Sequence, residues 1–514
     1  GVSSHIQLRP HPTLPISPSI PGMAGRILIV FDGTRGDTQP YLLAAKALMK
    51  ADFDVMVTGP GDAGRMAQEF QVPFTRSRLS AQKVFADPEM AKEFATDDVT
   101  KVLASMDKKK DEFLTESSRE KDLEALCTLI QEWKPDLILA GVVLLALVIM
   151  VSKVHRVPVV SFTLAHGRVC KSLKPMYMPD WLPKFMWWPL WRLLVFAMAR
   201  SEFKQSGPAL SKLLGVPMAQ LRCTANEMSR YLSANATFLS IIATSPAVHG
   251  DLPQDFNGNN VQIGALMMPL AEERGISSFG SEEMQAIQEF LDSGSAPVYF
   301  GFGSIICHTS KFMTLLCLRA LRLTGERGIL CRGWSTMCLD DLQGEADEED
   351  LKAYCHEKVL FVDKAPHGWL FPKCQVVVHH GGAGTLHASA RSGRPTLIAQ
   401  IFGDQPAHAV LVNERGFGLS LKSMPKATPL ELADTIRKCI NTPSIHAKAK
   451  EVAEQMKKED ASARLVEVIK DYMESHIRTG KHMKTLEELE QKKGGCLAGC
   501  CACYGSSGAS SSNY

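Results

Sequence analysis

The sequence predicts an α/β protein with two doubly wound, Rossmann-like domains, each a parallel sheet with helices on both faces. Short β-rich apolar runs alternate with longer segments of helical periodicity, and this alternation occurs in two separate series. Strands that alternate with helices are typical of parallel sheets. The length of 514 residues exceeds the usual size of one hydrophobic core and also favours two domains.

Nine strands are predicted, four in the first series and five in the second. The first four lie at 26–31, 54–57, 136–139 and 159–162, and the others at 298–300, 328–330, 359–361, 376–379 and 395–399. Ligands of such sheets bind beyond the carboxyl ends of the strands. We therefore expect the functional site in a cleft between the two domains.

The predicted organisation has five parts. They are a disordered segment at 1–25, an N-terminal domain at 26–267, a polar linker at 268–283, a C-terminal domain with terminal helices at 284–476, and a disordered Lys-, Cys- and Ser-rich tail at 477–514. The first segment is rich in Pro, Ser and His and lacks the apolar run of a secretory signal.

Charge and cysteine content exclude some classes of function. The formal net charge of +2 provides no broad basic field for phosphates, so nucleic acid is not expected as a partner. The 14 cysteines are mostly scattered singly through apolar surroundings, which indicates a reducing interior rather than a disulfide framework. We expect a cytoplasmic protein, with peripheral association on a cytosolic membrane face as an open alternative.

Two apolar stretches raise the question of membrane contact. Residues 137–152 carry no charge but are shorter than the roughly 20 residues that a spanning helix needs, which favours a buried strand followed by a buried helix. Residues 181–198 contain four tryptophans among Pro, Met, Leu and Phe. This second stretch fits a core helix, the wall of a ligand pocket or a surface that dips into a membrane interface.

A glycine-rich turn carries the strongest chemical signal. The sequence Val-Val-Val-His-His-Gly-Gly-Ala-Gly-Thr at 376–385 predicts a strand, a turn and then a helix. Glycines allow the backbone to approach a ligand, and the helix start offers unpaired N–H groups for a phosphate. The turn therefore predicts a diphosphate site, although an ordinary strand-to-helix connection is the alternative.

A second motif follows the next predicted strand and outweighs that alternative. The sequence Phe-Gly-Asp-Gln-Pro at 402–406 places an acid beside an amide. Asp404 can accept hydrogen bonds from sugar hydroxyls, and Gln405 can both accept and donate. Together the two motifs indicate recognition of a hexose attached to a diphosphate.

These motifs resemble a known family. Residues 379–385, the Gly-Arg-Pro of 393–395 and residues 402–406 are similar to the nucleotide-sugar signature of the UDP-glycosyltransferase superfamily, and closest to its sterol 3-beta-glucosyltransferases and related antibiotic glycosyltransferases. The resemblance implies the GT-B fold, in which the two domains face each other across a cleft. It also implies a UDP-glucose-like donor, a sterol-like lipophilic acceptor, inversion at the anomeric carbon, and no metal or other cofactor.

The resemblance also implies roles for individual residues. The residues implied to contact UDP or its phosphates are Gly36, Gly303, Ser304, Trp334, His380, Gly381, Gly382, Gly384 and Thr385. Within this set, Trp334 of the Arg-Gly-Trp-Ser segment at 332–335 is the candidate for stacking on uracil. Asp404 and Gln405 are implied to bind the sugar hydroxyls.

The start of the first domain supplies a candidate catalytic base. Residues 33–40 read Gly-Thr-Arg-Gly-Asp-Thr-Gln-Pro and differ from the family pattern only at Thr38, where the family has Val. The resemblance implies that Asp37 takes the proton of the acceptor hydroxyl as its oxygen attacks the anomeric carbon. From the residues alone, Asp37 fits a helix N-cap equally well.

The acceptor side is less well defined. The resemblance covers about 26–60 and 297–420 and is faint between them, so the acceptor-pocket candidates come from position and apolar character. They are His166, Trp181, Trp187 and Trp188. For His166, a structural histidine is the alternative. Cysteines at 496, 500, 501 and 503 fit either an acylated membrane anchor or an unstructured tail.

Three other functions remain in view. The same chemistry with a polyketide, terpenoid or other lipid acceptor is the closest, and a non-catalytic UDP-sugar-binding protein is the next. A nicotinamide-dependent dehydrogenase is disfavoured because neither glycine turn has the Gly-x-Gly-x-x-Gly spacing.

Overall fold

The computed structural model of the protein describes residues 24–502, except 79–86, 97–98, 114–115, 176–177, 179–180, 274 and 277–279. Two separate parallel sheets, flanked by helices, organise this part of the chain. The predicted fold class is confirmed. Most of the segment predicted to be disordered, residues 1–23, lies outside the described residues.

The first sheet has seven parallel strands in the order β3-β2-β1-β4-β5-β6-β7. They are β1 Gly25–Val30, β2 Phe53–Pro60, β3 Phe74–Arg78, β4 Leu137–Gly141, β5 Val159–Thr163, β6 Ser240–Ile242 and β7 Asn260–Gln262. Four of them match the predicted strands. The sequence pattern missed β3, β6 and β7. In β3 every second residue from Arg76 is charged, and β6 and β7 are only three residues long.

The second sheet has six parallel strands in the order β10-β9-β8-β11-β12-β13. They are β8 Val298–Gly301, β9 Gly328–Cys331, β10 Val359–Val362, β11 Val376–His379, β12 Thr396–Ala399 and β13 Gly418–Leu421. All five predicted strands are present, and only the edge strand β13 was missed. The segment predicted as a buried strand and helix at 137–152 is also confirmed, as β4 and the buried start of the helix Leu145–His155.

The helices cover both faces of the two sheets. In the first part of the chain they are α1 Arg35–Met49, α2 Ala63–Glu69, α3 Pro88–Phe94, α4 Val99–Phe113, α5 Glu116–Trp133, α6 Leu145–His155, α7 Trp187–Leu214, α8 Met218–Leu221, α9 Ala225–Leu232 and α10 Pro246–His249. In the second part they are α11 Leu270–Glu273, α12 Met284–Asp292, α13 Ser310–Thr324, α14 Glu348–Lys358, α15 His367–Leu370, α16 Ala383–Arg391, α17 Gln405–Arg415, α18 Pro429–Asn441, α19 Pro443–Met456, α20 Ala461–Tyr472 and α21 Lys481–Ala502.

In both sheets, the side on which the chain adds its next strand changes at a central pair of strands. In the first sheet the chain builds outward from β1 to β3 and then returns to place β4 on the other side of β1. In the second sheet the same reversal places β11 beside β8. Such reversals open a crevice at the carboxyl ends of the strands, where ligands of doubly wound sheets bind. The glycine turns that follow β1 and β11 therefore lie at the expected ligand crevices.

The predicted domain boundaries are wrong in two places, because each half of the chain contributes helices to the other half's core. Helix α20 packs into the core of the first sheet through Leu465 and Ile469, although the sequence analysis assigned it to the C-terminal domain. In return, Met90 and Phe94 of α3 are buried in the core of the second sheet. The predicted linker at 268–283 contains α11, whose Glu273 accepts a hydrogen bond from the Gly368 N–H of the second domain at 3.1 Å.

The prediction of a disordered tail from 477 is wrong for residues 481–502, which form α21. His482 is buried and stacks on Phe238, with the ring centroids 4.3 Å apart, and the Glu487 carboxylate forms an ion pair with Arg156 at 2.8 Å. Burial of one helical face of the Lys/Glu-rich sequence against the first domain accounts for this order. The side chains of the tail cysteines lie outside the described residues.

Candidate active site

Two strand–turn–helix junctions meet across the cleft. We call residues 31–37, between β1 and α1, the first glycine turn, and residues 379–385, between β11 and α16, the second glycine turn. A Cβ atom added to Gly384 would lie 3.2 Å from the carbonyl oxygen of Gly36. The two helix starts are therefore in backbone contact, and a larger residue at Gly384 would push them apart.

The candidate base Asp37 lies at the third position of α1. Its Oδ2 atom accepts a hydrogen bond from the Thr34 backbone N–H at 2.9 Å and faces the Thr34 hydroxyl at 3.4 Å. Thr34 is the N-cap residue, so Asp37 completes a capping box rather than serving as the N-cap itself. Gly33 is required here: its φ is +144°, and a Cβ atom would collide with the Asp37 carboxylate.

The surroundings of Asp37 raise its pKa to about 7. Burial is the largest cause, and the negative charges of Asp404 and Asp32 act in the same direction, while the hydrogen bonds from Thr34 oppose it. Asp404 belongs to the other domain, so the pKa of Asp37 depends on the closeness of the two halves. A carboxylate with a pKa near the working pH is suited to general-base chemistry.

Gly303, in the loop after β8, and Gly382, in the second glycine turn, leave space for the His380 side chain. A Cβ atom at Gly303 would lie 2.8 Å from Cε1 of His380, and one at Gly382 would lie 2.5 Å from its Nε2. Burial lowers the pKa of His380 to about 4, against the opposing effects of the Asp404 charge and a hydrogen bond with the Gly301 backbone. His380 is therefore neutral near pH 7, and an anion bound at the turn would raise its pKa again.

Hydrogen bonds with two histidines hold the backbone of the second glycine turn in place. Gly381 has a φ of +95°, and its N–H donates to Nδ1 of the buried His379 at 3.0 Å. Nδ1 of His408 lies 2.7 Å from the carbonyl oxygen of Gly381. These contacts aim the start of α16, where Thr385 carries a partly exposed hydroxyl, toward the cleft. The arrangement offers helix N–H groups, a hydroxyl and an imidazole to an anion.

Two further loops border the second turn. Gly303 and Ser304 follow β8, and the Gly303 carbonyl accepts a hydrogen bond from the Trp334 backbone N–H at 3.2 Å. This bond ties the loop after β9 to the loop after β8, and the Trp334 side chain is half-buried beside them. The predicted phosphate and uracil candidates of this domain are therefore brought together at one edge of its sheet.

The two residues predicted to bind the sugar, Asp404 and Gln405, differ in exposure and in the hydrogen bonds they already make. Asp404 is about one-third exposed and lies 3.6 Å from Nδ1 of His408. Gln405 is buried, and its Oε1 accepts hydrogen bonds from the backbone N–H groups of Ile401 and Phe402 at 2.7 and 3.0 Å. The side-chain oxygen of Gln405 therefore stabilises the loop at 401–402, and its side-chain amide nitrogen is the group that can donate to a ligand.

Four histidines, which we call the histidine cluster, meet where the two domains touch. They are His166, His249, His387 and His408. The ring centroid of His249 lies 4.8 Å from that of His166, 5.2 Å from that of His387 and 5.5 Å from that of His408. Among the described residues, no three His, Cys, Asp or Glu side chains are arranged to hold a metal ion.

The cluster was largely missed from sequence. His166 was predicted as an acceptor-pocket residue, and it is half-buried, with Nε2 accepting from the Gln262 amide at 3.1 Å. The spacing of Asp404 and His408 on one helical face was an available signal for His408. Nothing in the sequence around His249 or His387 indicates that they meet, because they come from different domains.

The three tryptophans predicted for the acceptor pocket differ in exposure. Trp181 is 78% exposed and Trp188 is 42% exposed, because they lie on the outer surface at the start of α7. Trp187 is half-buried and donates from Nε1 to the Leu182 carbonyl at 3.3 Å. Trp191 is the buried member of the group, and its ring packs against Gly167, next to His166. Trp181 precedes α7, and Trp187 and Trp188 lie in its first turn, whereas Trp191 lies about one turn further along the helix.

Comparison with solved structures identifies the fold. The glycotransferase of kitacinnamycin superposes with a TM-score of 0.56 at 16% identity, covering 87% of this chain and 98% of that one. Spinosyn forosaminyltransferase SpnP gives a TM-score of 0.53 at 15% identity, over 88% of this chain and 100% of that one. This chain has the GT-B fold. The prediction of two facing Rossmann-like domains is thereby confirmed.

Sequence comparison confirms the predicted resemblance. A family profile described as the C-terminal domain of erythromycin biosynthesis protein CIII-like proteins matches residues 343–474. A sterol 3-beta-glucosyltransferase of Arabidopsis thaliana is 35% identical over 223 residues, which are 43% of this chain and 32% of that protein. One of Candida albicans is 36% identical over 177 residues, 34% of this chain and 11% of that protein. This chain thus spans about a third or less of these relatives.

Proposed function

We propose that this GT-B protein transfers a hexose, most simply glucose, from a UDP-sugar to the hydroxyl of a sterol-like lipophilic acceptor, with inversion at the anomeric carbon. The observation that carries the proposal is the meeting of the two glycine turns. One presents a carboxylate whose pKa is raised to about 7, and the other presents a helix start with a buried imidazole. The names of the homologous sterol 3-beta-glucosyltransferases support the choice of acceptor.

In the proposed reaction the acceptor hydroxyl approaches Asp37 from the first domain. Asp37 removes the hydroxyl proton while the oxygen forms a bond to the anomeric carbon. The bond between that carbon and the β-phosphate oxygen breaks on the opposite face, and UDP leaves with the bonding electron pair. A single displacement of this kind inverts the anomeric centre. General-base assistance typically contributes about a hundred- to ten-thousand-fold.

The second domain would stabilise the leaving diphosphate. The N–H groups at the start of α16 point toward the turn, and the Thr385 hydroxyl adds a further donor. The pKa of His380 is lowered to about 4, so bringing a diphosphate beside it would favour its protonation and add a positive charge where negative charge develops. Asp404 and the Gln405 amide are then the groups proposed to bind the sugar hydroxyls.

The test is acceptor-dependent release of UDP by the purified full chain supplied with UDP-glucose. The acceptors are a sterol, a polyketide aglycone and a flavonoid, and the anomeric configuration of any product is read by NMR. The proposal expects release with the sterol and a β-glucoside from the α-linked donor. Release with another lipophilic acceptor would replace the sterol in the proposal, and UDP binding without transfer to any acceptor would favour a non-catalytic binding protein.

Membrane association is a further part of the proposal, because a sterol-like acceptor resides in lipid. Among the described residues, no helix is both long and apolar enough to cross a bilayer. Any such association must use a surface of the described part or a segment outside it.

A further inference from the structure

The first half of helix α7 has apolar side chains on two opposite sides. One side is buried in the core of the first domain, with Trp191, Val195 and Ala199 at helical spacing. The other side, with Leu193 and Phe196, and the segment at and before the helix start, residues 181–188, form what we call the exposed apolar face. It consists of Trp181, Phe185, Met186, Trp188, Leu193 and Phe196. A helix that is apolar all round is normally covered on both sides.

This face concentrates the apolar exposure of the described structure. Trp181 and Phe185 are each 78% exposed and Leu193 is 60% exposed. Six of the 13 exposed large hydrophobic residues in the described part of the chain fall within 181–196. A contiguous patch of this kind marks an interaction surface, whereas single exposed hydrophobic residues are normal.

The charges around the face are positive. Between Trp181 and Arg200 the sequence has Lys184, Arg192 and Arg200 and no Asp or Glu. The Lys184 ammonium lies 5.8 Å from the centroid of the Trp187 ring, and the Arg192 guanidinium lies 5.2 Å from that of Trp188. Tryptophans with cations beside them are favoured at the boundary between lipid headgroups and acyl chains, where the cations meet anionic headgroups.

The face also lies next to the predicted acceptor side of the cleft. A Cβ atom added to Gly167 would lie 3.1 Å from the ring of Trp191, so α7 packs directly on the loop that follows β5. That loop carries His166, which reaches the histidine cluster at the domain contact. Helix α7 therefore has its exposed apolar face on one side and packs on the acceptor side of the cleft on the other.

We propose that the exposed apolar face of α7 docks on the surface of an anionic lipid bilayer. The helix lies in the plane of the interface, with Trp181, Phe185 and Leu193 inserted at headgroup level and Lys184 and Arg200 on the anionic headgroups. Docking places α7, which packs on the loop that carries His166, at the membrane, and a lipophilic acceptor passes around this helix from the bilayer to the cleft. This last step rests on the proposed function, but the docking itself does not.

The test is cosedimentation of the full chain with phosphatidylcholine vesicles, with and without phosphatidylserine. The variant F185S/L193S/F196S removes three exposed side chains, and L323S/L430S is the control, because both of its leucines are exposed in the second domain. We expect roughly a tenfold or larger loss of binding to the anionic vesicles in the first variant, since each inserted side chain contributes hydrophobic transfer energy. The control should bind like the wild type.

Charge and oligomeric state complete the test. K184E/R200E should weaken binding only to vesicles that contain phosphatidylserine, and added salt should have the same effect on the wild type. Wild-type binding by the triple variant, or no binding by the wild type, would overturn the proposal. A dimer in analytical ultracentrifugation that the triple variant abolishes, without vesicle binding, would assign the face to a second copy of the chain.

Activity measurements separate docking from catalysis. The triple variant should transfer sugar to a detergent-dispersed sterol at the wild-type rate and to a vesicle-embedded sterol much more slowly. Equal loss on both acceptors would overturn the proposed path of entry. Absence of transfer by the wild type would count against the proposed function and leave the vesicle-binding result as the measure of docking.

Discussion

The two glycine turns have the same backbone arrangement but different ionisable residues around them. Each joins the end of a parallel strand to the start of a helix, and they touch at Gly36 and Gly384. The first turn carries the acids Asp32 and Asp37, and the second rests on the histidines His379 and His408. A helix start favours an anion in both cases. At the first turn the protein supplies its own carboxylate, whereas residues 379–385 of the second turn include none.

Removing the carboxylate of the first turn should have the largest effect. In D37N, the amide oxygen can still accept from the Thr34 N–H, so the capping box is retained while the base is lost. We expect kcat to fall by about a hundred- to ten-thousand-fold, with little change in UDP affinity measured by calorimetry. D62N, at an exposed carboxylate before α2, is the control.

The pH profile provides a separate check on Asp37. Because its pKa is raised to about 7, kcat should rise between pH 6 and 8 as the carboxylate ionises, and then level off. A rate that stays constant down to pH 5 would contradict the role of Asp37 as the base.

Removing the imidazole of the second turn should have the next largest effect. We expect H380A to lower kcat about a hundredfold, the typical result of losing one donor to developing negative charge, and to weaken UDP binding. The exposed His356 provides the control H356A. Unlike D37N, H380A should change the affinity for UDP as well as the rate, and an unchanged UDP affinity would place His380 outside the donor site.

Acid should weaken the fold through the histidine cluster beneath the second turn. Burial lowers the pKa of His166 to about 4 and that of His387 to about 3, and it holds the pKa of His249 well below 6.5. The unfolded chain therefore binds more protons below pH 6.5, and stability is lost as the pH falls from about 6.5 toward 4. Asp37 acts in the opposite direction, because its stabilising contribution is lost as the pH rises through about 7.

This pH dependence can be measured by urea unfolding between pH 7.5 and 5. H249F keeps a ring in the cluster but removes one titrating group, so the loss of stability per pH unit should decrease by up to about 1.4 kcal/mol relative to the wild type. H356F, at an exposed position, should leave the slope unchanged. Equal slopes in wild type and H249F would show that the cluster opens before it protonates.

The smallest effect is expected from separating the two turns slightly. In G384A the new methyl group would lie 3.2 Å from the Gly36 carbonyl oxygen, so the turns must move apart by a few tenths of an ångström. We expect a several-fold rise in the KM for the donor, on the scale of small misplacements of reacting groups. G258A adds a methyl group where no atom lies within 4 Å and should leave the kinetics unchanged.

Prediction from sequence succeeded where the signal is local. The second glycine turn lies between a strand and a helix as predicted, because strand, glycines and helix follow one another within 376–391, and the run at 33–40 likewise places Asp37 at the start of α1. The acceptor-pocket residues stay a prediction, because no local pattern defines that side of the cleft. The tryptophans of 181–191 have the same character in sequence, but Trp191 is buried, whereas Trp181, before α7, and Trp188, in its first turn, are exposed.

The sequence by itself determined two α/β domains and the positions of both turns, because strand periodicity and glycine placement act over short distances along the chain. Only the tertiary structure decided that α20 completes the first domain, that the histidine cluster forms and that Asp404 raises the pKa of Asp37. Each of these depends on residues far apart in sequence. Their burial and electrostatic coupling come from the packing of one domain against the other, which no local pattern encodes.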